Sequence, residues 1–319
     1  DCGPGQACLC APLWAGGSRC VLARCVTNVD CASGTCGVSV TSPGCVEPIR
    51  RLACRTVVDE CRTNEECEVC EVLPGGELHC IEQFCVAGET GWHCQPASED
   101  CGRPLRIGGA MQLAATVDQV DWAAVVQPCG KDHDAGRSAM WLRIAALEHA
   151  SVASFAKFTL QLMALGAPPE LLAGAQRAGA DEVEHARLAY GLASAYAGHP
   201  LGPGPLHLDD LRVETDVATV LRDVVVDACV GETMGAAEAL LAADAETDPT
   251  VRAVWQRIAD DETRHAALGW ATMIWLLEGA NAELRQVAQD AFAAATAAVR
   301  WRSSGPQVVE TIIAPAMAT

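Results

Sequence analysis

The 319-residue chain has no run of eighteen or more uncharged apolar residues, so its sequence offers no transmembrane helix. Cations are scarce: 22 Lys and Arg stand against 41 Asp and Glu, a formal net charge of −19. Nucleic acid and anionic membrane surfaces are bound by clustered Lys and Arg, so neither is an expected partner. Cations and small neutral molecules are. No methionine and no apolar leader stand at the start of the sequence, which reads as a mature product whose export signal has been removed. A four-cysteine metal centre is also missing, because Cys67-x-x-Cys70 has ligand spacing but no second such pair completes it.

What is present divides sharply. Sixteen of the 18 cysteines lie in residues 1–101, a density that reads as a disulfide scaffold in an oxidising compartment: extracellular, cell-surface or periplasmic. Two half-scaffolds, 1–50 and 51–101, emerge when Cys20, Cys25, Cys31, Cys36 and Cys45 are set against Cys54, Cys61, Cys67, Cys70 and Cys80. Their best match is the phrase Cys25-Val-Thr-Asn-Val-Asp-Cys31, echoed 36 residues later by Cys61-Arg-Thr-Asn-Glu-Glu-Cys67. Residues 1–45 and 54–101 hold eight cysteines each, so four bridges per half are expected, with the pairing open.

Residues 102–137, with Gly108-Gly109 and Pro128-Cys129-Gly130, read as a wrapping linker pinned by Asp121-Trp122. Helical periodicity then takes over across 138–303. Punctuation by Gly166-Ala167-Pro168-Pro169 and Asp248-Pro249 sets helices near 138–165, 169–197, 215–243 and 250–278, with a fifth near 281–302. A long non-helical link starting at Gly198 separates two tight hairpins, the connectivity of a bundle with one crossover. The tail, 304–319, contains Val308, Val309, Ile312 and Ile313 and is expected to be extended, either packing on its own bundle or adding a strand to a neighbouring copy.

The chemistry lies in a repeated tetrad, Glu182-Val-Glu-His185 and Glu262-Thr-Arg-His265. Residues three apart on a helix share a face, so each Glu–His pair can reach one metal centre. Each hairpin also carries a glutamate on its other helix. Glu148 lies about 19 residues before the first turn and its tetrad about 16 after it, within one turn of level. Glu232 is about 15 before the second turn and its tetrad about 16 after, whereas Glu238 falls about 10 Å off that plane. Four converging glutamates at effective dielectric 20 repel by roughly 4 kcal/mol per pair at 4 Å, so cations must balance them. Two divalent ions would do so, with Glu182 and Glu262 bridging and Glu148, Glu232, His185 and His265 terminal. Carboxylates with imidazole suit iron or manganese best, and also fit copper or zinc.

Glu184, Arg264, Asp181 and Asp261 read as solvated groups or supports behind the ligands. His149 points about 100° away from Glu148. Cys229, Trp255 and Phe155 read first as core. Ala186, Ala189, Gly235, Ala236, Ala266 and Gly269 either leave a cavity or let helices approach closely.

Across about 138–280 the segments LEHASVASF, DEVEHA, GETMGAAEA and DDETRHA resemble the ferritin-like di-iron carboxylate proteins, including rubrerythrin-type and bacterioferritin-type members and the di-iron hydroxylases. The resemblance implies a mainly α fold: a ferritin-like four-helix bundle with an extra C-terminal helix, preceded here by the disulfide-rich, loop-rich region. It also implies two metal ions per chain, iron foremost, reacting with dioxygen or peroxide as an oxidase, oxygenase or ferroxidase. Without an in-chain cysteine iron centre, a reductive cycle needs an external electron donor. The alternative expectation is a self-assembling extracellular structural subunit, a homo-oligomer or filament joined through the tail.

Overall fold

The repeated cysteine phrase folds the same way twice. In the first copy a 3-10 turn, Asn28–Asp30, places the Asp30 carboxylate to accept hydrogen bonds from the backbone N–H groups of Val26 and Thr27, both at 2.8 Å. In the second, Glu65–Cys67 forms the same turn and Glu66 accepts from Arg62 N at 2.6 Å. The acidic residue of the phrase therefore closes its own loop.

A computed structural model describes residues 6–9, 19–41, 49–62, 65–67, 69–72, 78–81, 83–87, 92–96, 103–124, 126, 128, 133–299 and 305–314. The chain forms two compact units, Asp1–Glu99 and Asp100–Thr319. In the first, β1 (Gln6–Leu9), β2 (Arg19–Ala23), β3 (Cys36–Thr41) and β4 (Ile49–Cys54) make a sheet in the order β1-β2-β4-β3. Two hairpins follow, β5 (Val69–Val72) with β6 (Leu78–Ile81) and β7 (Gln83–Ala87) with β8 (Trp92–Pro96).

Each phrase is stapled to one hairpin at two cysteines that face each other across the strands. Cys25–Cys36 and Cys31–Cys54 end on the register pair Cys36 and Cys54. Cys61–Cys85 and Cys67–Cys94 end on the register pair Cys85 and Cys94. Bridges of this kind contribute about 2–4 kcal/mol each. The expectation of self-contained halves needs correction, because Cys31–Cys54 crosses between them. The true counterparts of Cys36 and Cys54 are Cys85 and Cys94, and β5–β6, with Cys70 opposite Cys80, is an insertion. Cys2, Cys10, Cys45, Cys101 and Cys129 lie outside the described residues.

Trp92, 1 % exposed, is the largest side chain in this core. It lies under the Arg55 guanidinium at 3.5 Å, and its indole N–H donates to the Cys54 carbonyl at 3.1 Å. Gly37 is required beside them, since a Cβ there would sit 3.1 Å from both Arg55 and Trp92.

The second unit is mainly helical: α1 (Ala135–Ala164), α2 (Pro169–Ala197), α3 (Val217–Asp223), α4 (Glu232–Ala245), α5 (Pro249–Leu277), α6 (Ala282–Val299) and the short α7 (Gly305–Val308). Asp134, Asp216 and Asp248 accept backbone N–H groups at the starts of α1, α3 and α5. Pro169 and Pro249 open α2 and α5, while Gly166, Gly198 and Gly279 close α1, α2 and α5 with positive φ. No helix among the described residues is long and apolar enough to cross a membrane.

Between α3 and α4 the backbone widens into a π-helical stretch, Val224–Gly231, packed against α5. Gly269 makes that contact possible, because a Cβ on it would lie 2.7 Å from the Ala228 methyl. At this point the small residue serves close packing.

The described residues from Arg103 to Ala124 belong to the second unit. A hairpin, β9 (Arg106–Ile107) with β10 (Ala110–Met111), precedes β11 (Thr116–Asp118), which pairs with β12 (Leu201–Pro203) of the crossover. Trp122 packs on His149 and Tyr190 with ring centroids 5.1 and 6.4 Å apart.

The tail differs from expectation. Residues Gly305–Val308 and Val309–Ile313 are helical, not extended. Val308, Val309 and Ile313 are buried in the core with Phe155, Leu162 and Phe292, so tertiary burial overrides β propensity and the described tail residues pack on their own unit. Residues 315–319 lie outside the described residues. Ile313→Ala should cost about 2–5 kcal/mol, read as a lower midpoint in denaturant unfolding, with no change in the size of the protein on gel filtration.

Candidate metal centre

Each of four helical stretches delivers ligands to one buried place. Glu148 comes from α1, Glu182 and His185 from α2, Glu232 from the first turn of α4, and Glu262 and His265 from α5. Because the π stretch precedes Glu232, regular α-helix separates that residue from the α4–α5 turn and the level-placement argument applies. Two groups result, each with ligand atoms within 4.8 Å of one another: Glu148, Glu182, His185 and Glu262, then Glu232, Glu262 and His265. Glu238 is buried but belongs to neither.

The contacts distinguish central from outer carboxylates. His265 Nδ1 lies 3.2 Å from Glu182 and 3.7 Å from Glu262. His185 Nδ1 lies 3.7 Å from Glu148 and 3.8 Å from both Glu182 and Glu262. Glu182 and Glu262 thus face both imidazoles, whereas Glu148 faces His185 alone.

Each histidine is held from behind by the aspartate of the opposite tetrad. His185 Nε2 lies 3.0 Å from Asp261 Oδ2, and His265 Nε2 lies 3.4 Å from Asp181 Oδ2. A carboxylate acceptor at Nε2 selects the Nε2–H tautomer and turns the Nδ1 lone pair towards the cluster. Two arginines brace the aspartates in turn. Arg264 contacts both Asp181 and Asp261, and Arg257 Nε donates to Asp261 at 2.5 Å and approaches Asp181 at 3.9 Å. Glu184 is exposed and paired with Arg187.

The inner atoms lack protein partners. Glu182 Oε2, both oxygens of Glu232, Glu262 Oε2 and the Nδ1 atoms of His185 and His265 are buried without a hydrogen bond. Buried polar atoms are rarely left so, and six of the thirteen such atoms among the described residues converge at this one place. Burial drives the Glu148 carboxyl well above the ordinary carboxylate range, with Glu182 adding repulsion. Burial does the same to Glu232, reinforced by Glu262. Glu182 is opposed by burial yet held below its ordinary range by the facing imidazoles. Burial would also lower both histidines, but Asp261, Glu148 and Glu182 raise His185 well above its ordinary value. Glu182 and Glu262 push His265 up to about 10. Protons hold the cluster together when no cation does.

Of the remaining sequence expectations, Cys229 is a buried free thiol whose pKa burial pushes up to about 12. Trp255 packs on Trp141 with the rings tilted by 35° and centroids 4.7 Å apart, and Phe155 lies edge-on to the His265 ring at 5.2 Å. His149 packs on Trp122, away from the cluster. The reading of Asp181 and Asp261 as supports holds, but the crossing between tetrads and the part of Arg257 were missed. Their signal was the aspartate preceding each tetrad, Asp-Glu-x-x-His twice over. No protein-family model matches the chain, and neither the curated proteins nor the solved structures supply a match.

Asp261→Asn should weaken cation binding by about 10–100-fold in a chelator competition, whereas Glu184→Gln should leave it unchanged. A second expectation concerns pH. His265 gains stability from its raised folded pKa, fully present below its ordinary 6.5 and lost as pH rises through about 10. The raised Glu148 and Glu232 act in the same direction. Chelator-treated protein should therefore melt at falling temperature as pH rises through that window, and saturating divalent cation should flatten the trend by displacing the protons.

Proposed function

We propose that the helical unit is a ferritin-like four-helix bundle whose Glu148, Glu182, His185, Glu232, Glu262 and His265 hold two divalent ions, iron foremost, in an exported protein performing dioxygen- or peroxide-dependent redox chemistry. The crossed pair of Asp-Glu-x-x-His motifs carries this reading, since it aims two imidazoles and two central carboxylates into one space.

Charge supports a pair of ions. Four glutamates and two aspartates are offset by Arg257 and Arg264, leaving four negative charges once both imidazoles are neutral, the complement of two divalent cations. Glu182 and Glu262, facing both histidines, suit bridging positions; Glu148 and Glu232 suit terminal ones. Oxygen-rich ligands with imidazole favour iron or manganese over soft metals.

A bound redox-active pair would supply electrons to dioxygen or peroxide and so oxidise metal ions or an organic substrate. The chain's own part is to fix geometry and to exclude water. His185, Glu232 and His265 are 3 % exposed or less, and the Phe155 ring lies edge-on against His265. The four described disulfides fit an oxidising, extracellular environment, where electrons for repeated turnover come from a separate donor.

Anaerobic ferrous loading followed by elemental analysis should give about two ions per chain, and exposure to air should consume oxygen. Glu182→Ala should abolish both. A ratio below about one ion per chain in the unaltered protein, indifferent to Glu182→Ala, would overturn the assignment.

A further inference from the structure

Arg103 belongs neither to the candidate ligand cluster nor to any helix of the fold. The strap that carries it docks on α1, where Leu105 N–H donates to the Ala150 carbonyl at 3.3 Å. Leu105 is 1 % exposed and Arg103 only 3 %. The guanidinium carbon lies 4.2 Å over the Phe158 ring and 5.4 Å from the Phe155 ring. Phe155 in turn touches the His265 ring, so a single phenyl group separates this cation from the candidate metal centre.

Among the described residues Arg103 makes no hydrogen bond and no ion pair, and its Nε and Nη1 are buried without a partner. A guanidinium carries five N–H donors and no acceptor, and burying it is unfavourable unless oxygens receive them. Two phenyl faces attract the charge but take up no N–H. The nearby acids do not serve: Asp227 and Glu232 both feel the positive charge of Arg103, yet neither closes to ion-pair distance. A chain with 41 acidic side chains has thus buried one of its 22 cations and left two of its nitrogens without an acceptor.

We infer that Arg103 is the recognition group of a small-anion site, in which a carboxylate or phosphate oxygen of a small molecule is received by Nε and Nη1 beside the Phe155 and Phe158 rings. The donors select oxygen anions, and the rings tolerate an apolar body. Such a ligand would sit one ring away from His265, the position of a substrate or effector for the proposed centre. The site itself does not rest on the metal reading, because strap, rings and guanidinium belong to the chain alone. Tested in chelator, its failure leaves the metal assignment standing.

The test is calorimetric titration of the full chain, disulfides intact, with sodium acetate and with inorganic phosphate, in chelator at constant ionic strength. Saturable one-site binding of at least one probe is expected, and Arg103→Met should weaken it by about tenfold or more, with Arg103→Lys intermediate. Acetate alone would define a carboxylate site, phosphate alone a phosphate site. Thermal unfolding supplies a second readout: without probe Arg103→Met should melt no lower than the unaltered protein, because a buried unpaired charge has gone, while the probe should raise only the unaltered protein's melting temperature. The inference is overturned by no saturable binding of either probe to the unaltered protein, or by equal binding to Arg103→Met. It is also overturned if Arg103→Met unfolds or melts well below the unaltered protein, an outcome that assigns Arg103 to packing.

Discussion

The helical unit is built around the repulsion among four buried glutamates. At an effective dielectric of 20, two such charges 4 Å apart repel by roughly 4 kcal/mol, comparable to a large part of a domain's net stability. The fold answers with alternating layers. Glutamates and imidazoles lie innermost, Asp181 and Asp261 stand behind the imidazoles, and Arg257 and Arg264 clasp the aspartates from the surface. Protons or cations complete the balance at the centre. Close helix packing serves the same end: Gly269 lets α5 touch the π stretch that leads into Glu232.

The tetrads were legible in sequence because the rule that aligns a Glu with a His three residues later is local and needs only a helix. Glu148 and Glu232 were legible one step further out, since a tight turn converts sequence distance into level. The crossed support was not. That His185 leans on Asp261 and His265 on Asp181 depends on α2 and α5 lying side by side, which no single hairpin reveals. The tail failed for a related reason: Val308, Val309 and Ile313 look strand-forming until a core exists to receive them on one helical face. Arg103 was invisible because its strap has no periodicity. Covalent pairing in the first unit was equally beyond reach, since an inserted hairpin displaced Cys85 and Cys94 from the positions the repeat would assign them.

The first unit solves a different problem. Its described interior is sulfur, Leu52, Ala53 and Trp92, too little apolar area for strands of this length to rely on burial alone. Crosslinks replace it. Each loop closed by its own acidic side chain is fastened to a facing pair of strand residues, so two bridges set loop position and strand register together.

The uneven exposure of the six candidate ligands bears on how an ion would reach the proposed centre. Glu148 retains 12 % exposure at its side chain, while the other five are nearly sealed. Beside Asp181 stand Arg257 and Arg264, each more than half exposed, whose charges would repel an arriving cation. An ion bound for the proposed centre would meet the two arginines beside Asp181 and the partly exposed carboxylate of Glu148 on α1. Glu148 is then the candidate ligand at which water would first be exchanged for protein oxygen.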